Sequence, residues 1–169
     1  MTALLRLGGR EAQDAVIRQV NDEVHEAAAE RAAVWLGEEG ITRAMPALRQ
    51  AVEQAGSTYL VSAAAESLAQ LGDTLTGPDM VEWLGHQRPD RRRRAAAALG
   101  CLGDENAAGP LVAALRDPDK EVRREAAQSL GCVGDQAAVP ALTAALDDID
   151  ERVREAAGRA LEALARRGY

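Results

Sequence analysis

The chain has 169 residues, no Phe, 2% aromatic residues and a formal net charge of −7 at pH 7. That length supports a core without disulfides or metals, but a core so rich in Ala suits only close packing of helix on helix, and strand formers are sparse, so the composition predicts an all-α protein. The negative charge opposes any general affinity for nucleic acid or anionic membrane, since both require a positive field.

In chain order, the N-terminal MTALLRLGGRE carries a short apolar patch but no apolar run long enough for secretion, and no segment reaches the ~18 apolar residues of a membrane span. A repeating unit follows. Its first copy, residues 10–39, is marked by Ala32 and Leu36; the second, residues 40–71, by Gly40, Leu48, Val52, Ala64 and Leu68. The third, residues 72–102, has Gly72-Asp73, Met80, Leu84, Ala95 and Leu99 in the same slots. The fourth, residues 103–133, has Gly103-Asp104, Leu111, Leu115, Val122, Ala126 and Leu130. The fifth, residues 134–169, has Gly134-Asp135, Leu142, Leu146, Val153, Ala157 and Leu161. The period is 31, with one step of 32 where an extra residue falls near Gly56, giving about five units, four of them well marked. The last unit ends in a longer polar helix whose Arg166 and Arg167 suit the negative pole of a helix C-terminus.

Within a unit, helical apolar spacing occurs twice with a break between. In the fourth, Leu111, Val112 and Leu115 mark a first helix, and Val122, Ala126, Leu130 and Val133 a second. The break DPDKE offers Asp119 as an N-cap, with Ser57 and Asp150 in the matching places. The Gly-Asp pair between units is expected to stop one helix through a positive φ at Gly and to start the next by capping at Asp. Each unit is therefore a helical hairpin, and such hairpins bury their apolar faces by stacking on their neighbours.

The segments LVAALRDPDKEVRREAAQSLGCVGD (111–135) and LTAALDDIDERVREAAGRALEAL (142–164) resemble HEAT-like repeats of the phycobilisome-lyase type. The resemblance covers residues 40–165 closely and 10–39 more loosely. It implies an α-solenoid of about five stacked hairpins, with the second helices lining a concave binding side. Arrays of this kind include binding scaffolds, bilin-attachment lyase subunits, deoxyhypusine hydroxylase and DNA glycosylases, so the fold does not select the function.

The most conspicuous local feature is RPDRRRRAAAALGCLGD (88–104). In register, Arg92 shares a column with Arg123 and Arg154, where similar arrays bridge to an acidic residue or helix end of the adjacent unit. Arg91 stands in the core-facing slot of Leu60, Val122 and Val153, so its charged head has to snorkel. Arg93 projects opposite the core and Arg94 on its flank, so the run is spread around a helix and does not converge on a phosphate. The exposed column of the second helices includes Tyr59, Ser62, Arg93, Arg124, Gln128, Arg152, Glu155 and Arg159, flanked by Arg94. Tyr59, Arg93, Arg94, Arg124, Gln128, Arg152 and Arg159 are the candidate partner-binding residues. Their mixed charge fits a protein or peptide partner. A single ring does not fit single-stranded nucleic acid.

Chemistry finds little support. His25-Glu26 is a lone His-Glu pair, whereas the resemblance to the hydroxylase implies several, and His86 is followed by Gln87, so no metal site, cofactor or catalytic residue is expected. Cys101 and Cys132, one repeat apart, are too far separated for a disulfide and are expected as reduced, half-buried thiols in a cytoplasmic protein. Trp35 and Trp83 each replace a small residue in their columns, either filling a gap or offering an anchor. The expected function is a non-catalytic interaction scaffold. The alternative is an accessory subunit of an enzyme complex such as a bilin lyase.

Overall fold

The computed structural model describes residues 10–21, 25–74, 76–103 and 105–169, the side chain of Glu105 excepted; the apolar N-terminal patch and the expected cap Asp104 lie outside them. Among these residues there are ten α-helices and no strand. They pair as the repeat predicts: α1 (Arg10–Gln19) with α2 (Glu26–Glu38), α3 (Met45–Gln54) with α4 (Thr58–Gln70), α5 (Thr76–Trp83) with α6 (Pro89–Leu102), α7 (Ala108–Ala114) with α8 (Lys120–Val133), and α9 (Val139–Ala145) with α10 (Glu151–Arg166). Short 3-10 turns, Thr42–Ala44, Glu105–Ala107 and Gln136–Ala138, lead into α3, α7 and α9. The fold class is all-α, an α-solenoid of HEAT-like hairpins.

The chain divides into two compact units, Met1–Asp73 and Thr74–Tyr169, at a repeat boundary. In the first, α2 and α4 pack on each other while α1 and α3 pack on their hairpin partners. In the second, α6 packs on α8 and α8 on α10, with α5, α7 and α9 each against its own partner. Most core positions are those of the repeat: Leu36, Leu48, Leu68, Met80, Leu99, Leu111, Leu130 and Leu142 are fully buried among Ala, but Leu84 and Leu161 are half-buried, and in α10 it is Leu164, one turn on, that is fully buried.

Small residues let the second helices approach closely. A Cβ added at Gly37 would lie 2.8 Å from the Cβ of Ser67, one at Gly100 2.7 Å from the Cβ of Ser129, and one at Gly131 3.3 Å from the Cα of Ala160. At two of these contacts the serine also hydrogen-bonds across: Ser67 Oγ donates to Ala33 O at 2.9 Å, and Ser129 Oγ to Ala96 O at 2.7 Å. These bonds satisfy a hydroxyl that would otherwise be costly to bury.

The caps follow expectation in part. Asp119 accepts from the amides of Glu121 (2.9 Å) and Val122 (3.2 Å), and Asp150 from that of Arg152 (3.0 Å). Ser57 has the extended backbone of an N-cap, but its hydroxyl makes no capping bond. Gly40, Gly72 and Gly103 take positive φ as expected. Gly134 does not: its φ is −67°, and glycine is needed there because a Cβ would lie 2.4 Å from Leu130 O. Asp135 caps as the Gly-Asp pair predicts, accepting from the Ala137 amide at 2.9 Å, and the carboxylate of Asp73 pairs with Arg49 within the first unit. Arg167 serves a different helix from the one expected, donating to the carbonyls of Cys132 (2.6 Å), Gly131 (3.1 Å) and Gly134 (3.0 Å) at the C-terminus of α8.

Candidate functional site

The arginine column of the repeat forms a ladder within the second unit. Arg92 donates through Nε and Nη2 to both carboxylate oxygens of Asp117, at 2.7 and 2.8 Å, and through Nη1 to His86 O and Gln87 O. Arg123, one repeat on, makes the same fork to Asp148 at 2.7 and 2.9 Å, and its Nη1 donates to Asp117 O and Pro118 O. Each arginine thus closes the turn of its own hairpin and grips the turn of the next. Asp117 and Asp148 in turn accept from the amides of Asp119 (2.8 Å) and Asp150 (2.9 Å), bracing the turns from inside. Arg123 holds the Asp148 carboxyl below its ordinary range, and the two carboxylates raise the affinity of Arg92 and Arg123 for their protons. The Asp that completes the fork lies 25 residues after each Arg, a spacing readable in the sequence.

The rest of the arginine run is dispersed. Arg91 stacks over Trp83 with its guanidinium carbon 4.7 Å from the ring centroid, which accounts for both misfit residues: the snorkelling cation covers the large ring. Arg88 and Arg94 both pair with Asp90, at 3.0 and 2.6 Å. Arg94 is drawn down until its side chain is 12% exposed. Burial and the neighbouring arginines make its proton easier to lose than usual, but an arginine stays charged. Arg93 is half-buried.

The candidate binding residues therefore differ in what they present. Tyr59, at the start of α4 in the first unit, is 76% exposed. The others belong to the second unit. Arg124 is tied to Glu121 (3.2 Å) and to the buried Glu125 (2.6 Å), so it and Arg94 are held by carboxylates of their own helices. Gln128, Arg152 and Arg159 are exposed, Arg159 within 3.6 Å of Glu155. The stacking of α8 on α10 brings these three onto one layer of second helices.

Among the described residues no three His, Cys, Asp or Glu side chains converge as metal ligands. His25 is exposed at the start of α2, and His86 Nδ1 accepts from the Arg88 amide at 3.0 Å. Neither Cys101 nor Cys132 is in a disulfide; Cys101 is half-buried as expected, but Cys132, whose carbonyl accepts from Arg167, is exposed. Trp35 is half-buried with its indole N–H buried and without a hydrogen-bond partner among the described residues. No described helix is long and apolar enough to cross a membrane. Exposed apolar side chains that were not foreseen include Val34, Ile149, 94% exposed, and Leu146, 40% exposed where its counterpart Leu115 is 7%.

Comparison with known proteins agrees with this geometry. The chain is similar in structure to a chain in the complex of CpcE and CpcF of phycocyanin lyase from Nostoc sp. PCC7120, at 25% identity and a TM-score of 0.59, over 94% of this chain and 67% of that one. It is likewise similar to human deoxyhypusine hydroxylase, at 25% identity and a TM-score of 0.55, over 97% of this chain and 66% of that one. A designed armadillo repeat protein in complex with the peptide (KR)4 shares the fold at 18% identity, with a TM-score of 0.53 over 92% of both chains. The chain thus spans about two thirds of the length of the lyase and hydroxylase chains. No curated protein matches it. The family model for HEAT repeats matches residues 14–100 and 77–162, which between them include both arginine–aspartate forks and reach into all five hairpins, and the chain belongs to the HEAT-repeat family.

Proposed function

We propose that the chain is a non-catalytic interaction scaffold that presents its second helices to a protein or peptide partner in the cytoplasm. The observation that carries the reading is a division of labour on those helices. Arg92 and Arg123 are consumed in holding hairpins together, while Gln128, Arg152 and Arg159 stay exposed on the layer they stabilise. A rigid layer with projecting Arg and amide groups, and Tyr59 on the first unit, has the residue types of binding hot spots. Arg93, Arg94 and Arg124 form the basic border of the same surface, the last two oriented by Asp90, Glu121 and Glu125. The likeness to a designed protein that binds (KR)4 supports a peptide-sized partner.

The test is affinity capture from native extract with the wild-type chain and with a variant carrying Gln128→Glu, Arg152→Glu and Arg159→Glu. The reading expects a partner retained by the wild type and lost from the variant, whose helix content by circular dichroism is unchanged. Undiminished retention rejects this surface. A second reading, an accessory subunit of a bilin lyase-like complex, is favoured by the likeness to the CpcE and CpcF complex. It expects chromophore transfer that depends on adding a second subunit, and no transfer with any added subunit rejects it.

A further inference from the structure

The second helices that are covered carry glycine at the point of closest approach to the next helix: Gly37 on α2, Gly100 on α6 and Gly131 on α8. On α10 the same slot, 31 residues after Gly131, holds Glu162, which is exposed. Glu162 does not reproduce the close contact made at Gly37, Gly100 and Gly131, where an added Cβ would meet the next helix at 2.5 to 3.3 Å. The glycine has moved to Gly158, whose added Cβ would meet only Leu146 Cδ2, at 3.8 Å. One i+4 ridge therefore runs Asp150, Arg154, Gly158, Glu162, Arg166, with Gly158 at its centre.

This ridge is complementary to itself reversed. Its signs read negative, positive, neutral, negative, positive. When two copies pack antiparallel about Gly158, Arg154 of each meets Glu162 of the other, and Arg166 of each approaches the Asp150 end of the other. Packing i+4 ridges together is the commonest helix–helix arrangement, and a two-fold axis through a glycine allows close approach. Arg154 is prepared for such a contact. It repeats the Nη1 bonds of the ladder, donating to Asp148 O (2.7 Å) and Ile149 O (3.2 Å), but no carboxylate among the described residues fills the rest of its fork. Leu146, 40% exposed beside Gly158, supplies apolar surface on the same side.

We propose that this face of α10 joins a second copy of the chain in a two-fold dimer, with Arg154 of each copy forked onto Glu162 of the other. The inference is independent of the partner surface described above. Sedimentation velocity from about 1 to 300 μM, a span that brackets weak association, on the full chain tests it. The wild type should dimerise by mass action, and more weakly at high salt. Arg154→Glu and Glu162→Arg should each weaken the dimer at least ~10-fold, one decade of affinity being about 1.4 kcal/mol. The double variant Arg154→Glu/Glu162→Arg should restore it, which a mere folding defect would not do. Gly158→Arg should abolish it with helix content intact. A wild type monomeric across the range overturns the proposal and leaves the face to some other chain bearing a carboxylate. A dimer indifferent to the single charge reversals, or not rescued by the double, overturns it equally.

Discussion

Asp148 shows how a single carboxylate ties neighbouring hairpins. Both its oxygens take Arg123, and one also takes the Asp150 amide. Arg123→Ala leaves that carboxylate and two turn carbonyls without their charged donor, and is expected to cost about 3 kcal/mol in urea unfolding at pH 7. Asp148→Asn should cost about 2 kcal/mol under the same conditions. Because Arg123 lowers the Asp148 pKa in the folded chain, the contribution is present above the unfolded value near 3.8 and is lost as pH falls through the folded value. The gap between wild type and Asp148→Asn should therefore be constant from neutral pH down to about that point and close below it. A gap that widened in acid would contradict the assignment. The spacing of Arg and Asp makes this contact legible in sequence. The pairing of Arg94 with Asp90 and of Arg124 with Glu121 has the i,i+4 and i,i+3 spacing of helical ion pairs, but which of its neighbours each arginine takes depends on rotamers set by packing.

At the level of the helices, glycine has opposite meanings at different sites. Gly100 lies where α6 meets α8, and a Cβ there would fall 2.5 Å from Ser129 Oγ and 2.9 Å from Ser129 Cα. Gly100→Ala should push the helices apart and destabilise by about 1–3 kcal/mol. Gly109, in the first turn of α7, has nothing within 4 Å of an added Cβ, so Gly109→Ala should stabilise by about 0.5–1 kcal/mol. Thermal midpoints of the two variants should move in opposite directions. If the Gly100→Ala midpoint does not fall, the close approach of α6 and α8 is not what selects glycine at position 100. The Gly-Asp motif shows why such roles escape a motif reading. Gly134 was expected to turn through positive φ like Gly103, yet it is required by the nearness of Leu130 O. Asp73 faces Arg49, a cation its position in the repeat did not announce.

Across the molecule, stability is distributed among nearest neighbours, as in other repeat proteins. Leu130 is fully buried in α8, which packs on both α6 and α10. Leu130→Ala should cost about 2–5 kcal/mol, and hydrogen exchange should show the loss of protection centred on α6, α8 and α10. Loss confined to α8 alone would mean that the second helices do not protect one another. The same layered build explains why a chain with four large rings and an Ala-rich core can fold: backbone proximity replaces side-chain bulk, and Trp83 serves as a platform for Arg91.

The sequence by itself determined the helical hairpins and most of their buried leucines, which follow from helical spacing and a repeat of 31 residues. Only the tertiary structure decided which arginines are spent on cohesion and which stay exposed, which glycines are contacts, and where the pattern stops being filled. Those outcomes depend on groups brought together from distant parts of the chain, and at Arg154 and Glu162 they turn a repeated slot into an open, self-complementary face.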